Sequence, residues 1–85
     1  MSINTTDLKK KIIYRSNYRG SKEMDLLLGN FVKKYIEELN DVELNDLEKL
    51  LFLEDEILYK WYFEKNEHQE IPKTKVSALL QNFKL

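Results

Sequence analysis

Apolar residues recur along the chain at the three- and four-residue intervals of amphipathic helices, and this pattern predicts five helices. The first is expected at about Asp7–Asn17, with Thr5 or Thr6 as its N-cap. Its narrow apolar stripe consists of Leu8, Ile12 and Ile13. Gly20 and Ser21 then interrupt the pattern, because glycine can close one helix and serine can cap the next.

The second predicted helix, at about Lys22–Leu39, is apolar on more than one face. Its main stripe recurs at i, i+4, i+7, i+11 and i+15, and comprises Met24, Leu28, Phe31, Tyr35 and Leu39. Three further apolar residues lie off that stripe: Leu26, Val32 and Ile36. Gly29 lies in mid-helix, where it costs about 1 kcal/mol relative to alanine and therefore indicates close approach by another group.

Three shorter helices complete the predicted fold. Asn40 and Glu43 have the spacing of a capping box, which starts a third helix that runs to about Leu53. The acids at 54–56 start the fourth, which runs to about residue 65, and Pro72 suits the first turn of the fifth. Because the connections are short, we expect an all-α fold, a compact antiparallel bundle. It would form a single helical domain over residues 1–85, with a disordered N-terminus at residues 1–6.

The composition excludes several classes of protein. The chain has no cysteine and one histidine, which excludes disulfides, cysteine nucleophiles and thiolate zinc sites. Two glycines and one proline exclude glycine-rich phosphate loops. No apolar stretch is long enough to cross a membrane, so no membrane insertion is expected. Since the N-terminus resembles neither a secretory signal nor an arginine-rich leader, we expect a bacterial cytoplasmic protein rather than one of the mitochondrial matrix.

Charge is distributed unevenly, although the formal net charge is only −1. Residues 1–22 hold six lysines and arginines against Asp7 alone, a net charge of +5, whereas residues 37–70 hold twelve acids against three lysines, a net charge of −9. Such an asymmetry can steer a partner, although a charged surface also serves solubility alone. Nucleic acid is not an expected partner, because the acidic segment would repel phosphate.

No group of residues has the pattern of a catalytic or metal site. His68 lies in a polar loop, and the acids Glu54–Glu56 fit a helix start better than a cation loop. Lys9–Lys11 is typical of a solvated helix face. Four clustered aromatic residues could stack on a base or a flavin but are more typical of a core: Tyr59, Trp61, Tyr62 and Phe63. We therefore predict no catalytic residue and no metal.

The segment Tyr14–Phe31 contains the most specific pattern in the chain. By local structure alone, Gly20 supplies a turn, Ser21 a cap, and Glu23 and Asp25 are acids that favour the positive end of a helix. The run Arg-Gly-Ser-Lys-Glu at 19–23 nevertheless resembles the RGxxE motif of the succinate dehydrogenase flavinylation factors. These are small bacterial and mitochondrial proteins that assist covalent attachment of FAD.

The similarity to this family covers about residues 8–83. It includes Tyr-Arg-Ser at 14–16, Met-Asp-Leu-Leu-Leu-Gly-Asn-Phe at 24–31, the leucine pair at 50–51, and Asp55 followed by Leu-Tyr-Lys-Trp at 58–61. Two positions depart from the family pattern. Tyr18 stands where many members have a second arginine, which lowers the positive charge beside the RGxxE motif. Glu56 stands where some members have proline.

The resemblance implies a five-helix assembly factor that is not itself an enzyme. Its partner would be the flavoprotein subunit of succinate dehydrogenase, with that of fumarate reductase as a second partner. The protein would act on the FAD of that partner without binding it firmly, and no residue is assigned to the cofactor. The partner-binding residues would be Arg19, Gly20 and Glu23, with Asp25 in support. We expect a monomer.

Two other functions fit the residues. A helical interaction module, for instance an antitoxin-like protein, would bind its partner with no effect on flavin attachment. A small acid–base enzyme would need a buried carboxylate with a raised pKa, for which Glu23 is the candidate.

Overall fold

A computed structural model describes residues 5–84, which form five α-helices. These are Thr5–Asn17 (α1), Lys22–Tyr35 (α2), Asp41–Leu51 (α3), Asp55–Phe63 (α4) and Lys75–Asn82 (α5). No residue between 5 and 84 lies in a strand, so the predicted all-α class is confirmed. The Cα radius of gyration is 12.1 Å. A compact chain of this length is expected to have a radius of about 12 Å, so the helices form a closely packed bundle.

Polar side chains cap three of the helix starts. Ser21 Oγ accepts the N–H of Met24 at 3.3 Å, as predicted. The predicted capping box is also present: Asn40 Oδ1 accepts the N–H of Glu43 at 2.8 Å, and the Glu43 carboxylate accepts the N–H of Asn40 at 2.9 Å. At the start of α5, a threonine hydroxyl at position 74 does the same for the N–H of residue 77. These caps satisfy N–H groups that a helix start otherwise leaves without partners.

The first two helices differ from their predicted bounds. Helix α1 begins at Thr5, so Thr5 and Thr6 lie inside the helix instead of capping it or preceding it as disordered residues. The hydroxyl of Thr5 donates to Asp41 Oδ1 at 3.1 Å, which ties this end to α3; residues 1–4 lie outside the described residues. Helix α2 ends at Tyr35, four residues early, because the chain turns over residues 36–38 to present Asn40 in extended conformation to α3.

The later helices are shorter than predicted. Helices α3 and α4 each end two residues early. Lys65, where α4 was expected to end, has a φ of 59°, and this left-handed conformation cannot continue a helix. Pro72 precedes α5 and does not form its first turn, because Thr74 takes the capping position. The polar loop predicted after α4 is therefore longer than expected.

Every helix contributes side chains to one apolar core. Its buried residues are Leu8, Ile12, Met24, Leu27, Leu28, Phe31, Val32, Ile36, Leu39, Leu44, Leu47, Leu50, Leu51, Leu58, Trp61, Ile71, Val76 and Leu80. Ile13, predicted to face this core, is instead 44% exposed. Helix α1 packs against α2 and α3 through a narrower i, i+4, i+8 face formed by Leu8, Ile12 and Ser16, and Ile13 lies to one side of it.

Gly29 lies where the C-terminal end of α1 packs against α2. A Cβ at this position would lie 3.4 Å from Asn17 Oδ1 and 3.9 Å from the carbonyl oxygen of Ser16. The close approach that the mid-helix glycine predicts is therefore made by α1 and needs no external partner. Of the three residues off the main stripe of α2, Leu26 alone is exposed.

The aromatic residues of α4 are divided between core and surface. Trp61 is buried, and Tyr62 is half-buried with its hydroxyl donating to the carbonyl of Phe83. Tyr59 and Phe63 are more exposed, and their ring centroids lie 4.8 Å apart on the surface. The core interpretation of this aromatic cluster is thus correct for Trp61 and Tyr62 and wrong for the other two.

Glu43 makes the stability of the fold sensitive to acid. Its hydrogen bond with the Asn40 backbone, followed by its ion pair with Lys75 at 3.2 Å, holds its pKa below the ordinary value of 4.5. A carboxylate with a lowered pKa stabilises the folded state above its unfolded pKa, and this contribution is lost as the pH falls through the folded pKa. We expect Glu43→Gln to lower Tm at about pH 7, and the difference from wild type to shrink towards about pH 3. A difference that stays constant over this pH series would contradict the assignment.

Candidate functional site

The predicted site lies in a turn where four helix ends meet. Residues 18–21, which we call the RG turn, connect the end of α1 to the start of α2. The end of α3 and the start of α4 approach the same turn, because Arg19 bonds to the carbonyl oxygen of Leu51 and to the carboxylate of Asp55. Helix C-termini carry partial negative charge and helix N-termini partial positive charge. The junction therefore favours a cation beside α1 and α3, and anions beside α2 and α4.

Arg19 occupies the cationic position. Its Nη1 donates to the carbonyl oxygens of Arg15 at 3.1 Å and Leu51 at 2.8 Å, and its Nη2 donates to that of Leu53 at 3.1 Å. Its Nε lies 2.7 Å and its Nη2 2.5 Å from Asp55 Oδ1. The Arg19 side chain is only 10% exposed. Its hydrogen-bond donors are thus directed to acceptors inside the protein.

Two carboxylates accept hydrogen bonds from consecutive backbone amides of the RG turn. Asp25, in the first turn of α2, accepts the N–H of Arg19 at 2.6 Å. Asp55, the first residue of α4, accepts the N–H of Gly20 through Oδ2. Both carboxylates lie at helix N-termini, where negative charge is favoured. The RG turn is therefore bound both to the helix that follows it and to a helix distant in sequence.

Gly20 allows the carboxylate of Asp55 to approach the backbone. A Cβ at position 20 would lie 2.9 Å from Asp55 Oδ2, which is closer than such atoms normally come. Neither glycine of the chain has a positive φ. The requirement at Gly20 is therefore space for the carboxylate rather than the backbone angle that the sequence interpretation attributed to it.

Glu23 differs from the other three predicted residues. It lies in the first turn of α2 and is exposed. Within residues 5–84 its side chain makes no hydrogen bond or ion pair. The structure thus brings Arg19, Gly20 and Asp25 together in one network and leaves Glu23 directed to solvent beside it. Because Glu23 is exposed, it does not meet the requirement of a buried carboxylate that the enzyme alternative makes.

Asp55 completes the network and is absent from the predicted site residues. The sequence interpretation assigned it to the first turn of a helix, which is correct but accounts for only part of its contacts. It lies 36 residues from Arg19, so no local pattern relates the two. The available sequence signal is chemical, because an arginine at a buried position needs an anionic partner.

Exposed aromatic residues surround the RG turn. The rings of Tyr14 and Tyr18 are 66% and 78% exposed, with their centroids 5.0 Å apart. The guanidinium of Arg15 lies 3.9 Å from the ring centroid of Phe52, which is also largely exposed. We call the exposed side chains in and beside the RG turn, namely Tyr14, Arg15, Tyr18, Glu23 and Phe52, the RG edge. Apolar surface rimmed by polar groups is typical of a protein-binding site.

Other parts of the described chain offer less chemistry. Between residues 5 and 84, no three His, Cys, Asp or Glu side chains are grouped so that they could hold a metal ion. His68 is exposed, as predicted, and its Nδ1 accepts the N–H of Glu70 at 3.1 Å. Lys9 pairs with Glu37 at 2.9 Å. None of the five helices has the length and apolar character needed to cross a bilayer.

Comparison with known proteins identifies the family. The family described as "Flavinator of succinate dehydrogenase" matches residues 10–84, a span that includes the RG turn and Asp55. The chain belongs to this family. The resemblance indicated by the RGxxE motif is therefore confirmed, while the assignment of individual motif residues to partner contact stays a prediction.

The similar proteins come from both mitochondria and bacteria. "Succinate dehydrogenase assembly factor 2, mitochondrial" of Dictyostelium discoideum is 39% identical over 75 residues, which cover 88% of this chain and 53% of the relative. The protein of the same name from Lodderomyces elongisporus is 37% identical over 82 residues, covering 91% and 50%. "FAD assembly factor SdhE" of Acetobacter pasteurianus is 30% identical over 78 residues, covering 92% and 69%. The chain spans about half the length of the mitochondrial relatives, and no solved structure matches it.

Proposed function

We propose that this protein is an assembly factor that promotes covalent attachment of FAD to the flavoprotein subunit of succinate dehydrogenase, and to that of fumarate reductase as a second partner. The family description and the names of the relatives support this function. The structural observation that carries it is the position of Glu23, which is exposed and makes no internal hydrogen bond or ion pair beside a turn fixed by partly buried hydrogen bonds. We further propose that the protein acts as a monomer in the bacterial cytoplasm, without enzymatic activity of its own and without binding FAD firmly.

The proposed contribution of this protein is orientation. The reacting groups would be a histidine of the flavoprotein and the 8-methyl group of its FAD. As the histidine nitrogen bonded to the methyl carbon, a methyl C–H bond would break, its proton would be released, and the two electrons would reduce the isoalloxazine ring. Holding two reacting groups in a suitable geometry raises their effective molarity, which can reach about 10⁵–10⁸ M in well-oriented intramolecular reactions. A docking surface serves this purpose best when it is already ordered before binding. The RG edge fits this requirement because its turn is held by hydrogen bonds that two of its backbone N–H groups donate to the carboxylates of Asp25 and Asp55.

Glu23→Ala is the direct test of this function. An exposed acid in a first helical turn contributes about 0.3–1 kcal/mol to stability, so the variant is expected to fold. Loss of a charged hydrogen bond to the partner is expected to reduce covalent flavin incorporation by about tenfold or more, because such bonds are worth about 1.5–3 kcal/mol. The measurement is covalent flavin fluorescence of the co-expressed flavoprotein on a denaturing gel, in a strain without its own assembly factor. Glu38→Ala is the matched control, since Glu38 is also exposed but lies beyond the opposite end of α2.

The outcomes separate the proposed function from its rivals. Normal incorporation with Glu23→Ala would remove Glu23 from the site while leaving the assembly function standing. Incorporation that does not depend on the wild-type protein at all would reject the assembly function. In that case the helical interaction module would be the better description, provided that the two proteins still bind.

A further inference from the structure

We propose that Asp55, which lies outside the RGxxE motif, is a positioning residue of the RG edge. Together with Arg19 it holds the RG turn, and thereby also Glu23, in the conformation that the flavoprotein binds. This inference rests on the proposed function. It assigns Arg19 an internal role through Asp55, in place of direct contact with the partner.

The carboxylate of Asp55 joins a side chain and the backbone of the same turn. Its Oδ1 lies 2.7 Å from Arg19 Nε and 2.5 Å from Arg19 Nη2, while its Oδ2 accepts the N–H of Gly20. Charge-assisted bonds of this kind are shorter and stronger than neutral ones. Because one rigid group makes all these contacts, the orientation of the Arg19 side chain and the Gly20 peptide are fixed together. The start of α4 therefore sets the geometry of the turn before α2.

The direction of Glu23 depends on this geometry. Glu23 is the second residue of α2, and within residues 5–84 its side chain makes no hydrogen bond or ion pair that could orient it. Where it points is therefore determined by the start of α2, which the RG turn connects to α1. Asp25 holds this start from within α2, and Ser21 holds it as the N-cap. Asp55 holds it from another helix, and so fixes the start of α2 relative to the rest of the bundle.

Burial makes the Arg19–Asp55 pair difficult to break without rearrangement. The side chains are 10% and 28% exposed, respectively. A buried guanidinium that loses its anionic partner is strongly destabilising in its original position. We therefore expect Arg19 to rotate towards water when Asp55 is neutralised, and the turn to move with it. Asp55→Asn keeps the size of the side chain and one acceptor oxygen, so this movement is expected to be local.

Gly20 belongs to the same hydrogen-bond network. A Cβ at position 20 would come within 2.9 Å of Asp55 Oδ2, so Gly20→Ala is expected to displace the carboxylate that Asp55→Asn neutralises. The neighbours Arg19 and Gly20 thus act on one contact with the distant Asp55. The exposed Glu23, which is hydrogen-bonded to none of them, is the residue through which the contact would affect binding.

A double-mutant cycle with Asp55→Asn and Glu23→Ala tests the proposal. The measured quantity is the Kd for the purified flavoprotein subunit. Each single substitution is expected to weaken binding by about tenfold, and the double variant by little more than the weaker-binding single variant. Independent effects would instead multiply to about 100-fold, because residues that act separately are additive in free energy. Since no hydrogen bond or ion pair joins Asp55 and Glu23, coupling between them is expected to pass through the turn, and multiplied effects would overturn the proposal.

Hydrogen exchange of the free protein tests the contact between Asp55 and the RG turn without any partner. Asp55→Asn is expected to raise the exchange rate of the Gly20 amide by about tenfold relative to wild type, because that amide loses its charged acceptor. Thr74→Ala is the control, since it removes the cap of α5 and should leave both the Gly20 amide and the Kd unchanged. A Gly20 amide that remains equally protected in Asp55→Asn would overturn the proposal.

Comparing the binding of the wild-type protein with that of the variants distinguishes this proposal from the proposed function. If the wild-type protein does not bind the flavoprotein, the proposed function is rejected, and the positioning role with it. If wild type binds and the effects of Asp55→Asn and Glu23→Ala multiply, only the positioning role is rejected. Should Asp55→Asn fail to fold, Asp55→Glu takes its place in the cycle, because it keeps the charge near Arg19 but moves the carboxylate by one methylene.

Discussion

Arg19→Ala is expected to lower the free energy of unfolding by about 2–4 kcal/mol. The substitution leaves the carboxylate of Asp55 without its cation, and it removes donors from carbonyl oxygens at the ends of α1 and α3. Breaking a fully buried pair in this way costs about 3–5 kcal/mol, and the partial exposure of Asp55 reduces that figure. Urea unfolding followed by circular dichroism measures the effect.

Arg15→Ala is the matched control for this experiment. Arg15 is an exposed arginine on the same helix, and its guanidinium lies over the ring of Phe52. Loss of an exposed cation–π contact is expected to cost about 0.5–1 kcal/mol. If Arg19→Ala were no more destabilising than Arg15→Ala, the guanidinium of Arg19 would not be bound as described. A loss of flavin incorporation in Arg19→Ala can be attributed to docking only after its effect on folding has been measured.

Trp61→Ala is expected to destabilise the protein by about 3–5 kcal/mol, the usual cost of truncating a large buried aromatic residue. Trp61 is 6% exposed and belongs to the single core of the domain. Small domains have a total stability of about 5–15 kcal/mol, so this one substitution removes a large part of it. Thermal and urea unfolding should be followed by circular dichroism, because Trp61 is the only tryptophan and its fluorescence is lost in the variant.

Tyr59→Ala provides the comparison for Trp61. Tyr59 lies on the same helix but is 37% exposed, and its ring contacts Phe63 on the surface. We expect a loss of about 1 kcal/mol or less, because most of its area is not removed from water on folding. Equal losses in the two variants would mean that Trp61 does not contribute to the core more than a surface aromatic residue does.

The helices were predictable because their signals are local. The Asn40–Glu43 capping box and the Ser21 cap depend on residues within one turn, and both form as predicted. The choice of buried face was less predictable, because Ile12 and Ile13 are equally apolar and only the packing of α1 against α2 and α3 distinguishes them. The end of α2 at Tyr35 likewise depends on where the chain must turn towards α3.

Only the part of the candidate site that is contiguous in sequence was predictable. The motif at 19–23 is a continuous run, so it could be found from sequence and matched to a family. The Arg19 side chain turns towards the protein interior because it bonds to the carbonyl oxygens of residues 51 and 53 and to Asp55. All three lie more than 30 residues away in sequence. Pairing at that separation is a property of the tertiary structure. The sequence can indicate that Arg19 needs an anion but cannot say which one.

The four-helix junction also determines where the length of the chain can change. At residues 18–21, consecutive amides are bonded to Asp25 and Asp55, so even one inserted residue would move an N–H away from its carboxylate. Residues 64–70, between α4 and α5, are all exposed, and exposed loops tolerate insertions and new chain ends. A tag, a label or the termini of a circular permutant should therefore be placed in the connection between α4 and α5. Within the family, we expect insertions and deletions to accumulate in that connection and to be rare in the RG turn.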